Sequence, residues 1–142
     1  MARLIQLEIV TPEKVEMTAQ VEMVIVPGVE GEFGVLPGHA PLVTEIVPGM
    51  LRVFETSEDG TKKEVHLANS TGFVEVKDDK VIILADTAEL PDEIDLERAQ
   101  RAKKRAEERL AKRGQDDIDA LRAELALKRA IIRLRVGAER RI

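Results

Sequence analysis

Apolar and polar residues alternate in short runs up to Ala85, and the period then lengthens to that of a helix. Positions 4–10 lead into a Thr11-Pro12 break, and positions 21–26 stop at Pro27-Gly28. Runs at 51–55 and 64–68 flank Ser57-Glu58-Asp59-Gly60, a polar cluster ending in glycine that predicts a hairpin loop. Runs at 73–77 and 81–85 flank Asp78-Asp79, which predicts a second, tighter hairpin. Valine and isoleucine dominate these runs, as branched side chains do on a pleated surface. Many short strands with frequent turn signals, and no helices between them, predict a β-sandwich or barrel rather than a parallel α/β sheet.

From Asp92 onward the spacing is helical. Asp92 or Asp95 is placed to cap a helix N-terminus, with acidic residues in the first turn where they suit the helix dipole. Ala99, Ala102, Ala106 and Leu110 follow along one narrow, mostly alanine face. Arg113-Gly114 reads as a stop, and Asp116 or Asp117 as the cap of a second helix. Ile118, Leu121, Leu125, Ile132 and Val136 form that helix's apolar stripe. Small residues facing large ones predict a closely packed antiparallel pair. Such a pair buries little surface, so it is marginal unless it leans on something. The chain therefore divides into a β-rich domain at 1–88 and a two-helix domain at 89–142, an α+β architecture.

Composition divides at the same place. All three aromatics (Phe33, Phe54, Phe73), seven of nine glycines and five of six prolines precede Pro91. Residues 1–90 carry a net charge of −9 and residues 91–142 a net charge of +4, which together give the −5 of the whole chain. An acidic, turn-rich body thus carries a basic helical appendage. With no cysteine there are no disulfides or thiolate metal sites, which fits a reducing compartment. The two histidines, His39 and His66, lie far apart, so a zinc site would need carboxylates to complete it, and no metal site is assigned. No apolar run approaches the ~20 residues that span a bilayer, and the N-terminus turns polar too early for a signal peptide. A soluble intracellular chain is expected, with any membrane link made through a partner.

Catalytic motifs are absent: there is no Walker A loop, G-x-G-x-x-G, H-E-x-x-H or G-x-S-x-G. No catalytic residue is assigned. The stretch from Val26 to Gly49 is more specific, with four glycines and three prolines inside sixteen positions. Two readings stand for it: a set of tight turns linking strands, or a rigid loop platform shaped for a partner.

Within it, Gly31-Glu32-Phe33-Gly34-Val35-Leu36-Pro37-Gly38-His39-Ala40-Pro41-Leu42 resembles the hallmark stretch of the epsilon subunit of F-type ATP synthases. The likeness continues through Thr71-Gly72-Phe73-Val74-Glu75-Val76 and into the helical segment, covering essentially the whole chain. It implies a ten-stranded antiparallel β-sandwich followed by an antiparallel α-helical hairpin. It further implies a non-catalytic central-stalk subunit, peripheral on the cytoplasmic face of the bacterial cell membrane. The sandwich would meet the gamma subunit and the ring of c subunits. The helices would move between a folded position and one extended along gamma, where they reach the alpha and beta subunits and block ATP hydrolysis.

The basic tail fits such a role. Arg98, Arg101, Arg105 and Arg109 share one face of the first helix, and Arg122, Arg129, Arg133 and Arg140 one face of the second. A solvated face paired with glutamates is the ordinary reading. Nucleic acid is disfavoured by the acidic balance and the lack of stacking aromatics. An acidic protein surface or a polyphosphate suits guanidinium groups, which grip oxygens in pairs. Ile94-Asp95-Leu96-Glu97-Arg98-Ala99 resembles the I/L-D-x-x-R-A motif by which some bacterial epsilon subunits bind ATP. The resemblance implies an ATP site of Glu89, Ile94, Asp95, Arg98, Ala99, Arg129 and Arg133, with ATP, with or without Mg2+, as a regulatory ligand and no required cofactor. Ile94 and Ala99 would touch the adenine, the carboxylates its amino group or the ribose, and the arginines the phosphates.

Overall fold

Each strand is one-sided because its side chains alternate across the pleat. In β1 (Ile5–Val10), Ile5, Leu7 and Ile9 are fully buried while the residues between them stay half-buried. The structure, a computed structural model, describes residues 3–112 and 117–139. The predicted stop at Arg113-Gly114, the Asp116 cap, Arg140, and the side chains of Asp117 and Ile118 lie outside the described residues.

Nine further strands follow: β2 (Val15–Val21), β3 (Met23–Gly28), β4 (Gly31–Val35), β5 (Leu42–Ile46), β6 (Gly49–Thr56), β7 (Lys62–Asn69), β8 (Gly72–Lys77), β9 (Lys80–Ala85) and β10 (Ala88–Glu89). They form one ladder in the order β10-β7-β6-β3-β5-β8-β9-β1-β2, with β4 beside β3. The joint between β3 and β5 is a single pair, Gly28 with Ile46. The ladder folds there into two layers, which bury Val24, Val26, Leu51 and Val53 together with Leu7, Val74, Val81 and Ile83. All neighbours are antiparallel except β1 and β9, which run parallel.

Both predicted hairpins form. β6 and β7 pair from Gly49–Asn69 to Thr56–Lys62 around the 57–61 loop. β8 and β9 turn at Asp78 and Asp79, both left-handed at φ 51° and 59°, as a two-residue loop matched to strand twist requires. Asp79 also accepts from the Gly38 N–H at 2.6 Å and from Arg3 at 2.5 Å, which ties the glycine- and proline-rich loop to this turn.

The tail begins with one 3₁₀ turn, Pro91–Glu93, whose Glu93 carboxylate accepts from the Leu90 N–H at 2.9 Å. Asp95 caps α1 (Leu96–Ala111) by accepting from the Arg98 N–H at 3.0 Å. Asp92 belongs to the 3₁₀ turn instead. α2 (Asp117–Gly137) packs against α1 and lies on β6 and β7.

The expected apolar stripe of α2 holds at Ile132 and Val136, which pack inward, and is corrected at Leu121 and Leu125. Leu121 is 57% exposed and Leu125 37%, while Ala123 and Ala130 are buried to 1%. Ala99 and Ala106 are the buried pair on α1, at the same seven-residue spacing. Alanine therefore lies inside on both helices, which brings the backbones close and turns the leucines outward.

Candidate functional site

The hairpin rests on a small apolar seat. Ala68 from β7, Ile94 from the 3₁₀ segment and Val136 from α2 are buried together, with Met50, Leu96 and Ile132 packed beside them. Full burial of an isoleucine and a valine contributes about 3–6 kcal/mol in all. The sandwich core is several times larger. Gly137 lets the last turn of α2 come down on the start of α1, since a Cβ there would lie 2.6 Å from Leu96 Cδ2 and 3.1 Å from Ile94 Cγ2.

Three polar ties surround this seat. Arg133 Nε donates to Glu89 Oε1 at 2.6 Å, with both side chains about a quarter to a third exposed. His66 Nδ1 meets Glu139 Oε2 at 2.6 Å, while its Nε2 meets Glu64 Oε2 at 2.5 Å, and Arg52 Nε donates to the same Glu64 oxygen at 3.0 Å. Burial alone would lower the His66 imidazole, but the hydrogen bonds to Glu64 and Glu139 outweigh it and raise it above the ordinary 6.5. Lys14 Nζ donates to Glu93 Oε2 at 2.8 Å and lies 3.7 Å from Glu16, whose side chain is 3% exposed. Burial, then a hydrogen bond to Glu93, pushes the Glu16 carboxyl up to about 7. Burial acts in the same sense on Glu93, but the hydrogen bonds from Glu16 and Lys14 prevail and hold it down at about 2.

The sequence-predicted ligand residues gather around the seat in different states. Arg129 and Arg133 line a narrow space with Asn69, Ser70 and Thr87, about 10 Å³ in volume, the size of one water rather than a nucleotide. Asn69 Oδ1 is buried there without a hydrogen-bond partner among the described residues. Glu89 is engaged by Arg133, and Asp95 by the helix cap. Arg98 is exposed and forms no ion pair among the described residues, nor does Arg129. Ile94 and Ala99 are 1% and 2% exposed, so they present no surface to an adenine while the hairpin is seated. The groups that sequence reasoning missed are His66, Glu64 and Glu139, and the Glu16–Lys14–Glu93 cluster. Partners 73 and 79 positions apart leave no local signal.

The same two-part plan recurs in known proteins. The beta-sandwich domain of the ATP synthase delta/epsilon chain matches residues 4–91, and the long alpha-helix domain of that chain matches residues 92–137. The chain belongs to the ATP synthase delta/epsilon family. Its likeness to epsilon chains runs nearly end to end. It is 49% identical over 137 residues to the ATP synthase epsilon chain of Desulforamulus reducens, covering 96% of this chain and 99% of that one. With the epsilon chain of Carboxydothermus hydrogenoformans it shares 55% over 113 residues, covering 80% of this chain and 81% of that one. Among solved structures it resembles a chain of the Euglena gracilis mitochondrial ATP synthase OSCP/F1/c-ring assembly, with TM-score 0.76 and 28% identity over 96% of this chain and 82% of that one. No described helix is long and apolar enough to cross a membrane.

Proposed function

We propose that this chain is the epsilon subunit of a proton-translocating F-type ATP synthase, a non-catalytic part of the rotor whose helical hairpin restrains ATP hydrolysis and answers to ATP. The observation that carries the reading is the family match across both domains, joined to a hairpin that meets the sandwich, among the described residues, through one small apolar seat and three polar ties. The sandwich is a self-sufficient body suited to stay docked on gamma and the c-ring at the cytoplasmic face of the membrane. The hairpin is the separable part. Leu121, Leu125 and Ile131 are exposed along α2, and the arginines of both helices add positive charge. In an extended position those residues are the ones offered to the alpha and beta subunits.

ATP enters this proposal through Arg133. Phosphate oxygens compete with the Glu89 carboxylate for its guanidinium, while Arg129 and Arg98 supply further positive charge. A nucleotide therefore displaces the Glu89–Arg133 tie and replaces it with a bridge between the two helices. Ile94 and Ala99 serve as the buried base that fixes Asp95 and Arg98, rather than as a contact surface. A ligand shifts such an equilibrium only through its difference in affinity for the two states. The bridge exists only in the closed hairpin, so ATP favours closure and opposes inhibition.

Two measurements test the parts separately. A chain ending at Ala88 is expected to keep its β-structure and to co-purify with gamma and the c-ring; a folded truncation that fails to assemble would move docking to the helices. Alanine at Arg98, Arg129 or Arg133 is expected to weaken ATP binding about tenfold or more, the loss of one charge-assisted contact. Calorimetry on the full chain reads this, and unchanged affinity in all three variants would remove ATP from the site.

A further inference from the structure

We propose that the seated hairpin is latched by protons: Glu16 shares one with Glu93, His66 holds one between Glu64 and Glu139, and both are released when the hairpin lifts. This rests on the reading of the hairpin as a moving part, and it adds a regulator that acts on the seat itself.

The geometry places titratable groups on both sides of the joint at two separate points. Glu16 belongs to β2 and Glu93 to the 3₁₀ turn that opens the tail. Their carboxyls converge on the single ammonium of Lys14, 3.7 Å from Glu16 and 2.8 Å from Glu93, with the Glu16 side chain almost wholly covered. Two ionised carboxylates on one cation in a covered site repel each other, so one of them keeps a proton. His66 belongs to β7, and Glu139 follows the end of α2. Each ring nitrogen faces a carboxylate oxygen, an arrangement that suits the doubly protonated imidazolium, in which both nitrogens donate. The charged groups reaching Glu16 are Lys14 from its own strand and Glu93 from the tail. Those reaching His66 are Glu64 from its own strand, with Arg52 of β6 behind it, and Glu139 from the tail.

The sign follows from which state holds the protons. Lifting the hairpin removes Glu93 from Glu16 and Glu139 from His66, so both groups move back toward their ordinary values of 4.5 and 6.5. The seated state binds more protons, and its stability falls as pH rises. For Glu16 the window runs from 4.5 to about 7, and for His66 it lies above 6.5. Glu93 titrates in the opposite sense, but between about 2 and 4.5, well below both. A fall in pH around neutrality therefore seats the hairpin, and a rise frees it.

Amide hydrogen exchange on the full chain measures opening directly, with rates corrected for the intrinsic pH dependence of exchange. The opening constant of α1 and α2 is expected to rise about tenfold between pH 6 and pH 8 from Glu16 alone, with His66 adding to it. Amides of the sandwich core, such as those of Val74 and Ile83, report whole-chain unfolding and are expected not to follow. Glu16→Gln is expected to remove most of the pH dependence while keeping the hairpin seated. Should that variant fold poorly, Glu93→Gln offers a donor to an ionised Glu16 and is expected to flatten the slope as well. An opening constant that is flat with pH, one that moves in step with the core amides, or a full slope retained in Glu16→Gln would each overturn the latch. A latch that titrates as expected, beside a motor indifferent to the hairpin, would support the latch and refute the brake.

Discussion

Gly72→Ala is expected to cost the sandwich about 3 kcal/mol or more, the upper range for overpacking a filled interior. Gly72 opens β8 opposite Ala85 of β9. A Cβ built there would lie 2.0 Å from the Leu84 carbonyl oxygen and 2.8 Å from the Ala85 Cα. Both obstacles are backbone, so no side-chain rotation relieves the clash. β9 would have to draw away from β8, and β9 also pairs with β1. A domain of this size is stable by only about 5–15 kcal/mol, so the loss is a large fraction of the whole. Urea unfolding followed by far-ultraviolet circular dichroism reads it, since the chain has neither tryptophan nor tyrosine. A midpoint equal to that of the unchanged chain would mean that the two strands do not approach as described.

That glycine illustrates what the sequence makes legible. The 71–76 stretch could be matched as a pattern, but the reason for its glycine is the close approach of the paired β9 backbone, which only the fold supplies. β1, β3, β6, β7, β8, β9 and both hairpins are readable because their signals are local: alternation, a polar cluster ending in Gly60, and the Asp78-Asp79 pair. β2, β4, β5 and β10 are not, and β4 and β5 lie inside the 26–49 stretch whose glycines and prolines read as turns or a loop platform. The parallel pairing of β1 with β9 is not readable either, because it joins positions more than seventy residues apart. The Leu121 and Leu125 part of the α2 stripe fails for a different reason, while Ile132 and Val136 lie inside as expected. Leucine is the heavier hydrophobic signal, but close helix packing selects the smaller residue, so Ala123 and Ala130 lie inside and Leu121 and Leu125 outside. At the seat, Asp95 and Arg98 were legible as a motif at the start of a helix. Their setting was not, since Ile94 and Ala99 are covered and Arg133 is already held by Glu89.

Removing the hairpin is expected to have the largest functional effect. Its apolar seat is small, and two of the three polar ties among the described residues include a group whose pKa is raised, Glu16 to about 7 and His66 above 6.5. A brake with a coupling of about 1 kcal/mol changes activity about fivefold. ATP hydrolysis is therefore best compared between motors assembled with the full chain and motors assembled with a chain ending at Ala88, each at low and high ATP. The truncated motor is expected to hydrolyse ATP about fivefold faster or more at low ATP, and to show no further ATP-dependent release. A truncated motor that hydrolyses ATP no faster than the intact one at any ATP concentration would contradict a restraining hairpin.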